Sequence, residues 1–283
     1  MEATLRDDLL ANAALLEWFD EAALAALLPA AGPAIAELLA GDRVVAVGER
    51  PGAFALREDV RAQERRRLRA AGPRAEIELR ARAFQVYRGL LARAHGHERE
   101  RLEDLLFSQF AGLFDLLYLR LEWQAMRQLV ADAAEAGPRA RRNRQQLALC
   151  EAFIAVRTGD TVRGGRMLDA LLADADLEPQ LRLQATLALG HMQRNLSQYD
   201  QALQTYGELA QLARRVGSQV YLALANFNLG TVYNELDRYD LALEYVLESK
   251  HIFESIEDLD RLAFACYSAG LNAMYLGRWE LAR

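Results

Sequence analysis

The sequence predicts a mainly α-helical protein: a small first domain of three helices, a β-hairpin and a fourth helix, followed by a superhelix of paired helices. Three observations predict it. The C-terminal third repeats on itself at a shift of 40 residues, and each copy has helical spacing. The first seventy residues break that rhythm with two short β-type runs. The chain has 283 residues, 52% hydrophobic and 26% charged, which is enough apolar material to bury cores and excludes intrinsic disorder.

In the first segment, Leu9, Leu10, Leu15, Leu16 and Phe19 give the apolar stripe of a helix over 9–18. Asp20-Glu21 caps a second helix over 22–28. Residues 29–32 form a turn, and Pro33 opens a third helix that runs to Leu39 and ends at Gly41. A strand over 44–47, a Pro-Gly turn of type II geometry over 49–52 and a return strand over 53–56 make the hairpin. A basic helix over 57–70 ends at the breaker Ala71-Gly72-Pro73, and a long helix over 74–94 leads on. Helix pairs then follow from residue 98: 98–119 with 122–136, and 147–156 with 164–172.

From Leu181 onward the register is shared by three copies. Gly190, Gly230 and Gly270 coincide, as do Ala202, Ala242 and Ala282, Leu196, Leu236 and Leu276, and Ala185, Ala225 and Ala265. An aromatic recurs at Tyr199, Tyr239 and Trp279, followed by Asp200, Asp240 and Glu280. Each copy reads as helix, tight turn and antiparallel helix. Ser197 and Asp237 are expected to cap the second helices, with Asp200 and Asp240 completing an acidic capping box. A mid-helix glycine costs about 1 kcal/mol against alanine, so three in register imply close helix approach, with the repeat alanine packed on the glycine. In the copy before, Gly164 stands in the alanine column, 38 residues ahead of Ala202.

These columns resemble the tetratricopeptide repeat. Leu189-Gly190, Leu229-Gly230-Thr231-Val232-Tyr233 and Ala242-Leu243-Glu244-Tyr245-Val246 match its pattern. Thr186, Asn226 and Cys266 stand where that family has tryptophan, the closing proline is absent, and the period is 40 rather than 34. The longer period is the variety seen in the sensor arms of large bacterial signalling proteins. Three helices, a hairpin and a fourth helix make a winged helix. Residues 52–61 resemble the closing strand and helix of the winged-helix domain of STAND NTPases, with Arg57 where that family often has a phosphate-touching histidine. The resemblance implies the order winged helix (1–72), connecting long helix (73–97) and tetratricopeptide-like superhelix (98–283), with an NTPase core upstream in a longer protein. The last copy holds only residues 279–283 of its second helix. A solenoid closes on a polar-faced cap, so the array is expected to continue.

Several chemistries are excluded or weak. Lys250 is the only lysine, and it follows Glu248-Ser249 with no glycine loop, so the chain has no P-loop. No long apolar run lacks a charge, so no membrane partner is expected. The acidic start is no signal peptide, and Cys150 and Cys266 make no disulfide framework, so the cytoplasm is the expected compartment. Both cysteines fall at packed helix positions. His95, His97, His191 and His251 form no metal-ligand or triad spacing, so no cofactor, metal or enzymatic activity is expected.

Residues 57–93 hold eleven arginines against five acids, and 139–144 form a second basic cluster. At a net charge of −6 these read as solvated helix faces rather than a specific nucleic-acid site. The reading helix of a DNA-binding winged helix would fall at 33–40, which offers no Arg, Asn or Gln to base edges.

In this repeat family the first helices line the concave groove. Counting from each glycine, the resemblance places Leu187, His191, Arg194 and Asn195, then Phe227, Thr231, Asn234 and Glu235, then Tyr267, Leu271, Met274 and Tyr275 on that face. The expected function is a non-catalytic interaction or sensor arm that takes a protein, a peptide or a small inducer in this groove. The alternative is a winged-helix transcriptional regulator with a repeat-built regulatory domain.

Overall fold

The structure, a computed structural model, describes residues 2–16, 18–48 and 52–280. Fourteen α-helices and one two-stranded sheet lie among them. The chain divides into two compact units, 1–147 and 148–283. The expected segments 1–72 and 73–97 both fall inside the first unit.

Unit 1 begins with α1 (Glu2–Leu15), α2 (Glu21–Leu27), a 3-10 turn at Pro29–Ala31 and α3 (Gly32–Ala40). Asp20 caps α2 as expected: its carboxylate accepts from the Ala23 N–H (2.7 Å) and pairs with Arg101. Strands β1 (Val44–Ala46) and β2 (Phe54–Leu56) pair antiparallel, Val44 opposite Leu56. Phe19, between α1 and α2, adds an isolated antiparallel bridge to Phe54, with paired N–H to O distances of 2.8 and 2.7 Å. Phe19, Leu16, Leu24, Ile35 and Leu56 are buried and form the core of this part. Of the expected hairpin turn, residues 49–51 lie outside the described residues; Gly52 has φ +78°.

Helix α4 (Glu58–Ala71) leaves through the Gly72 break, where φ is +92°, into α5 (Pro73–Leu91). Two arginines of the basic stretch serve the end of α1. Arg61 donates to the Leu16 carbonyl (3.2 Å) and Arg65 to the Ala14 carbonyl (3.3 Å), satisfying acceptors that a helix C-terminus leaves open. Arg57 donates to Asp59 (3.2 Å) and to the Asp42 carbonyl (3.4 Å). Helices α6 (Gly96–Leu119) and α7 (Trp123–Glu135) follow.

Helix α8 (Arg141–Arg157) starts earlier than its apolar pattern suggests, so the second arginine cluster forms its first turn. Buried Glu103 explains the early start. Its carboxylate accepts from the N–H groups of Arg139 (3.0 Å) and Ala140 (2.8 Å) and from Asn143 Nδ2 (3.0 Å), placing an anion at the helix N-terminus.

Unit 2 continues with α9 (Thr161–Ala173), α10 (Pro179–Asn195), α11 (Tyr199–Val216), α12 (Gln219–Glu235), α13 (Tyr239–Ser255) and α14 (Leu259–Tyr275). The boundaries repeat at 40 residues, as the columns require. Residues 281–283, including Ala282 of the alanine column, lie outside the described residues.

The turns correct the capping expectation. Ser197 and Asp237 are not N-caps; Gln198 and Arg238 hold those positions. Ser197 and Asp237 instead close the preceding helices in the left-handed conformation, at φ +57° and +58°. At the first of these turns Gln198 N–H donates to the Gln193 carbonyl (2.9 Å) and Ser197 N–H to the Arg194 carbonyl (2.8 Å), the Schellman pattern. The same two bonds recur at Asp237–Arg238, Glu257–Asp258 and Gly277–Arg278. In this turn the N-cap falls one residue after the left-handed one: Gln198 and Arg238 make no side-chain cap there, whereas Asp258 accepts from the Arg261 N–H (3.2 Å).

The glycine column also differs in detail from the expectation. Ala202 and Ala242 are buried, but Gly190 and Gly230 lie under the side chains four residues beyond them, Tyr206 and Val246. A Cβ on Gly190 would fall 2.4 Å from Tyr206 Cε1, and one on Gly230 2.6 Å from Val246 Cγ2 and 3.0 Å from the Ala242 carbonyl oxygen. In the α8–α9 pair the roles are exchanged: Ala152 takes the glycine column and Gly164 the alanine column, and a Cβ on Gly164 would meet the Ala152 carbonyl at 2.9 Å.

Candidate functional site

Helices α10, α12 and α14 carry the expected groove residues, and side chains link neighbouring helices in series. His191 Nε2 meets Asn228 Oδ1 at 3.2 Å, Arg194 Nε lies 3.8 Å from Glu235 Oε1, and Asn234 Nδ2 donates to Asn272 Oδ1 at 2.6 Å. Four of the expected residues (His191, Arg194, Asn234 and Glu235) thus join adjacent first helices. Thr231 donates its hydroxyl to the Phe227 carbonyl of its own helix (2.9 Å). Leu187 and Phe227 are half-buried and pack on the cores between helix pairs. Asn195 is exposed.

The α14 end is apolar and open. Tyr267 is 73% exposed, Met274 48% and Tyr275 59%, while Leu271 is half-buried. Tyr275 stacks on Tyr239 with ring centroids 4.5 Å apart. The Tyr239 hydroxyl donates to Asp237 (2.6 Å), and that bond raises the pKa of the phenol.

The network assigns the His191 tautomer. Asn228 Nδ2 donates to the Leu224 carbonyl (2.7 Å), so its Oδ1 faces the imidazole and Nε2 carries the proton. Burial first, then the charge of Arg194, lower the His191 pKa to about 4; the Asn228 bond opposes this and the Arg157 charge adds to it. His191 is therefore a neutral side chain at pH 7. Tyr206, edge-on to His191 with centroids 6.1 Å apart, is fully buried; desolvation raises its pKa and keeps the hydroxyl protonated.

Sequence reasoning missed Asn228, Asn272 and Tyr206. Asn228 shares its column with Ala188 and Ser268, and Asn272 with Met192 and Val232, so no recurring polar residue marks either. Asn226, in the column where the repeat family has tryptophan, donates to Glu248 (3.1 Å) between α12 and α13.

Cys266 corrects another expectation. Cys150 is buried, but Cys266 is exposed. Its column mates Thr186 and Asn226 are buried. Among the described residues no group of three or more His, Cys, Asp or Glu is placed to hold a metal ion. No described helix is long and apolar enough to cross a membrane. His97 pairs with Glu100 (3.3 Å) on the surface of unit 1.

Comparison with known proteins agrees with this geometry. Residues 181–255 match the model of the tetratricopeptide repeat family, so α10–α13 are tetratricopeptide-like repeats. BtubC from P. vanneervenii is similar in structure, with TM-score 0.57 at 16% identity over 75% of this chain and 87% of that one. A Rap protein complexed with competence and sporulation factor superposes with TM-score 0.53 at 12% identity, over 80% of this chain and 67% of that one. These are likenesses of fold. A STAND protein with a tetratricopeptide repeat sensor from Pyrococcus horikoshii covers 95% of this chain and 54% of its own, at 12% identity. Its TM-score of 0.42 is too loose to distinguish one helical array from another. No curated protein sequence matches the chain.

Proposed function

We propose that the chain is a non-catalytic interaction arm whose α10–α14 face takes a protein, a peptide or a small inducer. The observation that carries this is the linked row of first helices. Its bonds, His191 to Asn228 and Asn234 to Asn272, hold three helices side by side, and the same row ends in the exposed Tyr267, Met274 and Tyr275. Rigid apolar anchors beside hydrogen-bonding groups are what binding grooves provide. The Rap protein of similar fold, seen with a bound factor, is consistent with that use.

Within this reading, residues 1–72 are a winged helix. Its support is the bridge from Phe19 to Phe54, which supplies a third strand position between α1 and α2 and gives the order helix, strand, two helices, two strands. The finer reading is the regulatory arm of a STAND-type bacterial signalling protein in the cytoplasm, with an NTPase core upstream. Its test is the coding sequence ahead of residue 1, where a Gly-x-x-x-x-Gly-Lys-Ser/Thr segment is expected; a reading frame without one would remove the STAND assignment.

A DNA-reading winged helix is the alternative. The exposed side of α3 presents Pro33, Ala36, Glu37 and Ala40, with no Arg, Asn or Gln for a base edge, and Arg61 and Arg65 of the basic helix are engaged with α1. Fluorescence anisotropy with duplex DNA at about 0.15 M salt, where backbone attraction is weakened, separates the readings. A sequence-selective complex tighter than micromolar would favour the alternative.

A further inference from the structure

Unit 1 holds a cleft of about 530 Å³ between α1, α4 and α5, within the size range of small-molecule sites. Ala11, Leu68, Ala75 and Leu79 give it apolar walls. Glu64 also lines it, and that residue is only 7% exposed. Its carboxylate accepts no hydrogen bond among the described residues. Arg67 Nη1 stands 4.0 Å away, beyond hydrogen-bond reach, and Arg67 is held instead by Asp7 at 2.6 Å. Glu78 is paired with Arg74 at 3.0 Å. Arg82 lines the cleft but is exposed and forms no ion pair among the described residues. A buried carboxylate is costly unless donors satisfy it, and here the open space beside it is where donors would come from.

We propose that this cleft binds a small organic cation, a guanidinium head on a short aliphatic stem, with the head on Glu64 and the stem along Leu68 and Leu79. A planar guanidinium offers two parallel N–H donors, which fill both open oxygens of one carboxylate at once. An ammonium is a compact point charge that holds its water more strongly, so it enters a partly apolar cleft less readily. An anionic ligand would meet Glu64 and the exposed Asp8, which lines the same cleft. Leu68 belongs to α4 and Leu79 to α5, so a bound stem bridges the two helices that flank the Gly72 break. The cleft lies wholly in unit 1 and is independent of the groove reading.

Calorimetry on the full chain with n-butylguanidinium, n-butylammonium and neutral n-butylurea tests this. The guanidinium is expected to bind about tenfold tighter than the urea, which keeps its planar N–H groups without the charge, and more tightly than the ammonium. Glu64→Gln, of the same shape but uncharged, should abolish the preference for guanidinium over urea with the circular dichroism spectrum unchanged. Ala71→Leu, which adds bulk to the lining and leaves Glu64 in place, should weaken n-butylguanidinium severalfold. Equal affinity for guanidinium and urea, no binding of the guanidinium at millimolar concentration, or a preference that survives Glu64→Gln would overturn the proposal. So would binding that Glu64→Gln spares and Tyr267→Ala removes, which would put the cation on the exposed α14 rings. Binding seen only in Arg82→Gln would also overturn it, because Arg82 itself would then be the occupant of the cleft.

Discussion

Gly190 lies beneath the ring of Tyr206: a Cβ there would be 2.4 Å from Cε1 and 2.8 Å from Cζ. The aromatic ring fills the volume that a side chain on α10 would occupy, and this sets how near α11 comes. Gly190→Ala gains helix propensity but pushes on a fully buried ring, so a net loss of about 1–3 kcal/mol is expected. Gly207, in α11, has nothing within 4 Å of its Cβ position, and Gly207→Ala should stabilise by about 1 kcal/mol. Urea midpoints of the two variants check this; shifts of the same sign would contradict the packing.

A second prediction comes from the turns. Glu257 holds φ +57°, the same closure that Gly217 and Gly277 adopt at +77° and +69°. The left-handed region costs a residue with a Cβ about 1–2 kcal/mol, partly offset because glycine is freer when unfolded. Glu257→Gly should raise the melting temperature by about 1–3 °C. Gly277→Ala, despite open space around it, should lower it, since the penalty is in the backbone. Scanning calorimetry decides between the signs.

The same turns show what was legible in the residues. The period, the glycine column and nearly every helix of unit 2 follow from apolar spacing alone. The role of Ser197 and Asp237 does not, because both residue types favour N-caps and also tolerate the left-handed conformation; only the length of the turn decides which they do. Asn228 and Asn272 were hidden for a different reason. Their columns vary in chemistry, and their meaning comes from a neighbour some forty residues away. Glu103 was hidden likewise, since its partners at the start of α8, Arg139, Ala140 and Asn143, begin 36 residues later.

A third prediction concerns acid. His191 has a folded pKa of about 4 against 6.5 in the unfolded chain. Between these values the unfolded chain binds a proton that the folded one refuses. The stabilisation is thus complete above pH 6.5 and is lost as pH falls toward 4. For a partly exposed side chain this amounts to about 1–2 kcal/mol. His191→Gln should flatten the urea-midpoint profile between pH 7 and 5, whereas parallel profiles for variant and wild type would contradict the assignment.

The central claim is that the α10–α14 face receives the partner. The most direct measurement is to select binders from a displayed random-peptide library on the full chain, then to titrate the enriched peptides against the Asn234→Ala, Tyr267→Ala double variant by calorimetry. Truncating a central aromatic anchor typically costs ~2 kcal/mol or more, so affinity should fall at least about thirtyfold while circular dichroism stays unchanged. Peptides that bind the double variant as tightly as the wild type, but fail when Arg141 and Arg142 are both replaced by alanine, would place the site on the basic start of α8 and contradict the account.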